Sequence, residues 1–203
     1  MSKIKIGIIK EGKVPVDHRV PFTPQAAKEI VSKFSNADVV CQRSKVRCFE
    51  DEEYAKNGIE LVDNVDDCDV LMGVKEVPMN DLIPNKTYFF FSHTTKKQAY
   101  NRELLRTLLK KNIRMIDYEN LTNSKGIRVV AFGRYAGIVG AYNGILTYGK
   151  RFDLFNLKPA HQCFDMEEMQ SEYSKVKLPP IKIVLTGGGR VAKGAMEVLN
   201  GMG

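Results

Sequence analysis

Three near-continuous apolar runs constrain this chain most: Val70-Leu71-Met72-Gly73-Val74, Tyr88-Phe89-Phe90-Phe91 and Ile113-Arg114-Met115-Ile116. A strand with one face in water alternates apolar and polar residues. Runs this dense suit strands buried on both faces, the situation of parallel strands in a sheet covered by helices. The segments between them fit that plan. Residues 3–9 alternate with period two and read as a strand, and short strands are also predicted over 37–41 and 127–132. Thr23-Pro24 offers a helix start, with Thr23 as N-cap and Pro24 at the first helical position. That helix carries Ala26, Ala27, Ile30, Val31 and Phe34 at near-helical spacing. A second helix is predicted over 50–57, ended by Gly58 as a left-handed cap. A third, over 96–111, is expected to turn Leu104, Leu105, Leu108 and Leu109 inward.

Further along, residues 133–148 carry Ala136, Gly137, Gly140, Ala141 and Gly144 near helical spacing, which lets another backbone approach closely. Residues 151–180 are polar and end in Pro179-Pro180, so they read as a connector after a substrate and catalytic domain over 1–150. A fresh unit starts at 181–203: the strand Ile181-Lys182-Ile183-Val184-Leu185, a glycine loop, then a helix from about Arg190. Gly187-x-Gly189-x-x-Ala192 matches the dinucleotide fingerprint in its G-x-G-x-x-G/A form. Gly187 permits the tight turn, Gly188 and Gly189 let a pyrophosphate approach the backbone, and Ala192 keeps the helix close to its strand. The N–H groups of Arg190, Val191 and Ala192 face the phosphate at the helix N-terminus. The acidic ribose partner belongs about 20 residues further on, beyond Gly203. The chain is therefore expected to be the front portion of a longer protein, and to bind dinucleotide poorly by itself.

Composition excludes more than it selects. The chain has 203 residues, 43% hydrophobic and 27% charged, a globular mixture with no low-complexity tract. A net charge of +7 suggests nucleic acid, but the basic residues are scattered among 24 acidic ones, and no nucleic-acid partner is expected. No apolar run is long enough to cross a bilayer and the start lacks a cleavable signal pattern, so the expected compartment is the cytoplasm. Cys41, Cys48, Cys68 and Cys163 are widely spaced. They read as reduced thiols packed as small hydrophobes, with no metal site.

In open α/β sheets ligands sit outside the carboxyl ends of the strands. Two predicted strands end there in Lys75-Glu76 and in Ser92-His93. A lysine and a histidine at one sheet mouth can share general acid/base work. On spacing alone, a solvated lysine and a capping histidine account for them slightly better. Arg19, and Arg128 at the opening of the strand Arg128-Val129-Val130, have the fork that grips carboxylates, although for either one alone a surface ion pair is the simpler account. Glu119 ends a third strand, where it can tune the Lys75–His93 pair.

These positions also carry a resemblance. Gly73-Val74-Lys75-Glu76-Val77-Pro78, Phe90-Phe91-Ser92-His93-Thr94, Ile116-Asp117-Tyr118-Glu119 and the stretch from Arg128 to Gly137 resemble saccharopine dehydrogenases of the lysine-forming type. They look closest to the lysine–ketoglutarate reductase domain of aminoadipic semialdehyde synthase. The wider superfamily is that of alanine dehydrogenase and transhydrogenase, to which Arg19-Val20-Pro21-Phe22-Thr23-Pro24 is similar. The resemblance implies a Rossmann-like parallel-sheet catalytic domain followed by the first βα unit of a second, truncated Rossmann domain. It implies NAD or NADP as cofactor and small amino-acid and 2-oxo-acid substrates, and allows a homo-oligomer. In this carry-over Lys75 and His93 are the acid/base pair, Glu76 and Glu119 tune them, and Arg19 and Arg128 hold substrate carboxylates. The preference at Lys75 and His93 is thereby reversed. The rival enzyme is alanine dehydrogenase, and the rival of another class is a non-catalytic binding fragment.

Overall fold

A computed structural model describes residues 3–203. The chain divides into two compact units, one ending at Val130 and the other spanning Ala131–Gly203.

The first unit is a six-stranded parallel sheet. Its strands are β1 (Ile4–Ile8), β2 (Ala37–Gln42), β3 (Glu60–Val62), β4 (Val70–Met72), β5 (Thr87–Phe90) and β6 (Arg114–Asp117). They lie in the order β3-β2-β1-β4-β5-β6. Registers such as Ile6↔Val39, Ile6↔Val70, Leu71↔Tyr88 and Phe89↔Ile116 fix the pairing. The chain winds outward through β2 and β3, then returns to lay β4 against the other edge of β1. This is a doubly wound, Rossmann-like arrangement, with its switch point between β1 and β4.

Both faces are covered, as the dense apolar runs require. On one face Ile8, Val39 and Cys41 meet Ala27 of helix α1 (Pro24–Lys33) and Tyr54 of α2 (Asp51–Lys56). On the other, Val40, Leu71, Tyr88 and Phe90 meet Leu104 and Leu108 of α3 (Arg102–Lys110). Each buried Val, Leu, Ile or Phe among these contributes about 1.5–3 kcal/mol. The start of α1 follows the local signal: Thr23 Oγ1 accepts the Ala26 N–H at 3.2 Å, with Pro24 at the first position. Gly58, with φ of +79°, follows α2 in the left-handed region. Cys41 and Cys68 are packed as small hydrophobes, and burial pushes both thiols up to about 11.

The second unit is helical: α4 (Gly133–Arg151), α5 (Met166–Ser171) and α6 (Arg190–Gly201). Of the small residues of α4, Gly137 serves close approach, while a Cβ on Gly140 or Gly144 would meet nothing within 4 Å. A Cβ on Gly137 would lie 1.9 Å from the Val191 carbonyl oxygen, and one on Gly194 would lie 2.0 Å from that of Arg134. With glycine at both points the two backbones touch, and Ile138, Tyr142, Leu157, Met169 and Val198 form the core around them.

Several expectations are corrected. The compact division falls after Val130 rather than at 150, and the predicted connector contributes Leu157 and Met169 to the core of the second unit. Residues 181–185 form no strand. A strand needs a neighbour to receive its N–H and C=O groups, and among the described residues the second unit contains none. Residues 127–132 make only a single antiparallel bridge, Thr122↔Arg128, across a turn closed by Gly126 at φ +72°. Arg128 therefore sits on the return limb of a tight turn, not at the head of a strand. In α3, Leu104 and Leu108 point inward while Leu105 and Leu109 are 44% and 73% exposed. The stretch before Arg102 breaks into two short 3-10 turns.

Among the described residues no helix is long and apolar enough to cross a membrane.

Candidate active site

The carboxyl ends of β1, β4, β5 and β6 gather the polar residues of the first unit. Beyond β4, Gly73 N–H donates to Phe89 at 2.9 Å and Phe91 N–H donates to Val74 at 3.0 Å, so the two exits run side by side. This brings Glu76 to His93: their carboxylate oxygen and Nδ1 are 2.6 Å apart. The second oxygen of Glu76 receives the Lys13 ammonium. Burial pushes the Glu76 carboxyl up, and the bonds from Lys13 and His93 more than offset it, leaving it below its ordinary value. His93 precedes a 3-10 turn, yet its ring makes no capping bond. It is committed to Glu76. Its backbone lies in the left-handed region, at φ 53°, a conformation that costs a non-glycine residue about 1–3 kcal/mol and clusters at functional sites.

Behind His93 is a buried brace. Asp117, at the end of β6, accepts from Ser92 Oγ at 2.5 Å, from the Ser92 N–H at 3.2 Å and, through its other oxygen, from the Glu119 N–H at 2.8 Å. One carboxylate thus fixes the β5 and β6 exits together. Glu119 lies in the 3-10 turn that follows and pairs with Lys96 at 3.3 Å and Arg128 at 3.5 Å.

The loop after β1 supplies the third side. Asp17 takes the Arg19 guanidinium in a two-pronged grip, Nε at 2.9 Å and Nη2 at 2.6 Å. The hydrogen bonds from Arg19 hold the Asp17 carboxyl below its ordinary value, with Lys75 among the cations that add to the effect. Lys75 itself is half-buried, and its N–H donates to Glu11 at 2.9 Å.

Lys75, Glu76 and His93 are thus delivered to one corner by adjacent strand ends, while Glu119 and Arg128 form a neighbouring ion pair. Arg19 is on the β1 loop with its fork engaged. Residue-type reasoning passed over Glu11, Lys13, Asp17 and Asp117. The rule that picked out Lys75 and His93 also applies to the exit of β1, where Glu11 stands; Asp117 hid inside a strand.

The glycine loop belongs to the second unit. Gly187 has φ of +88°, and nothing lies within 4 Å of a Cβ at Gly187, Gly188 or Gly189. Gly189 is the N-cap of α6, ahead of Arg190, Val191 and Ala192. First-turn N–H groups have no acceptor within their own helix.

With this geometry in place, comparison with known proteins is decisive at the level of family. The pattern described as "Alanine dehydrogenase/PNT, N-terminal domain" matches residues 7–139. The chain belongs to that family. Among curated relatives, the mitochondrial alpha-aminoadipic semialdehyde synthase of Bos taurus is 36% identical over 202 residues, 91% of this chain and 22% of that protein. The saccharopine dehydrogenase (NAD(+), L-lysine-forming) of Emericella nidulans is 30% identical, covering 100% of this chain and 58% of that protein. Among solved structures, an L-alanine dehydrogenase superposes with a TM-score of 0.70 at 18% identity over 98% of this chain and 52% of that one. The chain spans about a fifth of the first relatives and just over half of the second. The alanine dehydrogenase/PNT family fold therefore covers the sheet and the candidate site.

Proposed function

We propose that this chain is the amino-acid-binding part of a nicotinamide-dependent oxidoreductase that reduces the imine of lysine and 2-oxoglutarate to saccharopine. The observation that carries this reading is the Glu76-held His93 beside the exit that bears Lys75. The names and identities of the curated relatives support it.

The chemistry needs proton transfers on two atoms. The lysine ε-amine must lose a proton as it adds to the keto carbon, and the resulting carbinolamine oxygen must gain protons to leave as water. Lys75 and His93 share these transfers, each being a base in one protonation state and an acid in the other. Because Glu76 engages Nδ1, His93 has Nε2 to offer. Glu76 and Glu119 lie beside Lys13, Lys96 and Arg128, which balances the cations of the pocket. Arg19 and Arg128 receive substrate carboxylates; at Arg19 a carboxylate must exchange with Asp17. The open backbone at Gly187–Gly189 and the N-terminus of α6 fit a dinucleotide pyrophosphate. The reduced form of NAD or NADP, bound there, would supply the hydride.

In the proposed oxidoreductase, Lys75→Ala and His93→Ala are each expected to lower turnover of lysine plus 2-oxoglutarate by about 10²-fold or more, read from NAD(P)H absorbance. Turnover of pyruvate plus ammonia instead would make this an alanine dehydrogenase. Absence of turnover with both substrate sets would favour a binding role.

A further inference from the structure

In a doubly wound sheet ligands enter the crevice where the strand order reverses. Here that crevice, between the exits of β1 and β4, holds a side chain of the protein itself. Val74 N–H donates to Glu11 Oε1 at 2.6 Å and Lys75 N–H donates to Oε2 at 2.9 Å. Each oxygen takes one amide, so the carboxylate lies across the start of the Lys75 segment. From the other side Phe91, two residues ahead of His93, donates its N–H to the Val74 carbonyl at 3.0 Å. The peptide that carries Lys75 is held on both flanks. Gly73 completes the fit, since a Cβ there would lie 2.9 Å from Ile9 Cδ1 and 3.2 Å from Glu11 Oε1.

We propose that Glu11 is a positioning residue for Lys75: it is the resident anion of the switch-point crevice, anchoring the Lys75 backbone and occupying amides that would otherwise take an external phosphate or carboxylate. As part of an amino-acid site, this rests on the function proposed above. The charged and titratable groups facing Glu11 are Asp17, Arg19 and the Tyr118 hydroxyl. Burial pushes the Glu11 carboxyl up, the two amide bonds pull it down, and the net displacement is upward.

The test uses the 203-residue chain. In Glu11→Ala, hydrogen exchange at the Val74 and Lys75 amides is expected to accelerate about tenfold or more, the loss of a charge-assisted bond, with Val39 and Ile116 unchanged. Acylation of the Lys75 amine at fixed pH is expected to rise severalfold relative to the exposed Lys97. Formate, a carboxylate that fits the vacated amides, should restore both. Unchanged exchange, unchanged Lys75 acylation or no rescue by formate would each overturn the proposal. If Glu11→Ala does not fold, the wild-type chain decides: the two amide proton shifts must titrate together with a midpoint above the ordinary glutamate range, and separate or absent titration overturns the clamp. None of these readouts uses turnover. A failed lysine/2-oxoglutarate assay alongside a verified clamp would remove only the reaction assignment.

Discussion

The corner at Lys75 and the loop at Gly187 are both polar sites at the start of a new segment, but they are built in opposite ways. At the first, every carboxylate has a partner: Glu76 holds Lys13 and His93, Asp117 holds Ser92 and the Glu119 amide, and Glu11 holds two amides. The sheet pins all of these residues. At the second, nothing lies within 4 Å of a Cβ added at the three glycines, and residues 181–185 before them pair with no strand. A covered sheet orders polar side chains before a ligand arrives. A glycine turn provides shape and donors, and relies on the helix behind it for rigidity.

That difference can be broken from the helix side first. Gly194→Ala or Gly137→Ala puts a methyl into a backbone carbonyl, and is expected to destabilise the second unit by about 3 kcal/mol. Hydrogen exchange should speed in α4 and α6 while the β1 and β2 amides keep their protection; equal loss in both would mean that the two regions are not separately supported. Next, Asp117→Ala leaves the buried Ser92 amide and the half-buried Glu119 amide without their acceptor, a loss of about 2 kcal/mol in chemical denaturation. Gly187→Ala forces alanine to φ +88°, a cost of about 1 kcal/mol, whereas Gly188→Ala should leave thermal stability unchanged. The smallest effect is electrostatic. The Asp17 and Glu76 carboxyls lie below their ordinary values, so their contribution is present at neutral pH and is lost as pH falls through the lowered values, below about pH 4. For the partly exposed Asp17–Arg19 pair this is under about 1 kcal/mol. Asp17→Asn should flatten the acid limb of the unfolding curve.

Features set by neighbours along the chain were legible in advance. Thr23-Pro24 starts a helix, Gly58 follows one in the left-handed region, and the dense runs at 70–74 and 88–91 become central strands. Gly137 was readable as a close-approach position, although its partner was not. What escaped depended on groups far away in sequence. Glu11 binds amides 63 and 64 residues on, and Asp117 binds Ser92 25 residues back. Neither leaves a periodic trace. β3, Glu60–Val62, lacks the dense apolar run that marks the equally short β4. Residues 181–185 show the converse: a good strand pattern remains coil without a hydrogen-bonding neighbour.

The placement of β1 in the middle of the sheet also sets the order of events during synthesis. β1 is made first, but its β4 neighbour lies more than sixty residues downstream, and the brace at Asp117 comes later still. Until β4 and its exit have been translated, Glu11 has no amides to hold, and until β6 follows, the exit that carries His93 has no Asp117 behind it. At ~5–20 residues per second the nascent chain spends on the order of 10 s with β1 and β2 able to pair but the acid/base corner unformed. A ribosome stalled before Val70 therefore carries a partial sheet with an exposed β1 edge, which is where chaperone protection of this chain matters most.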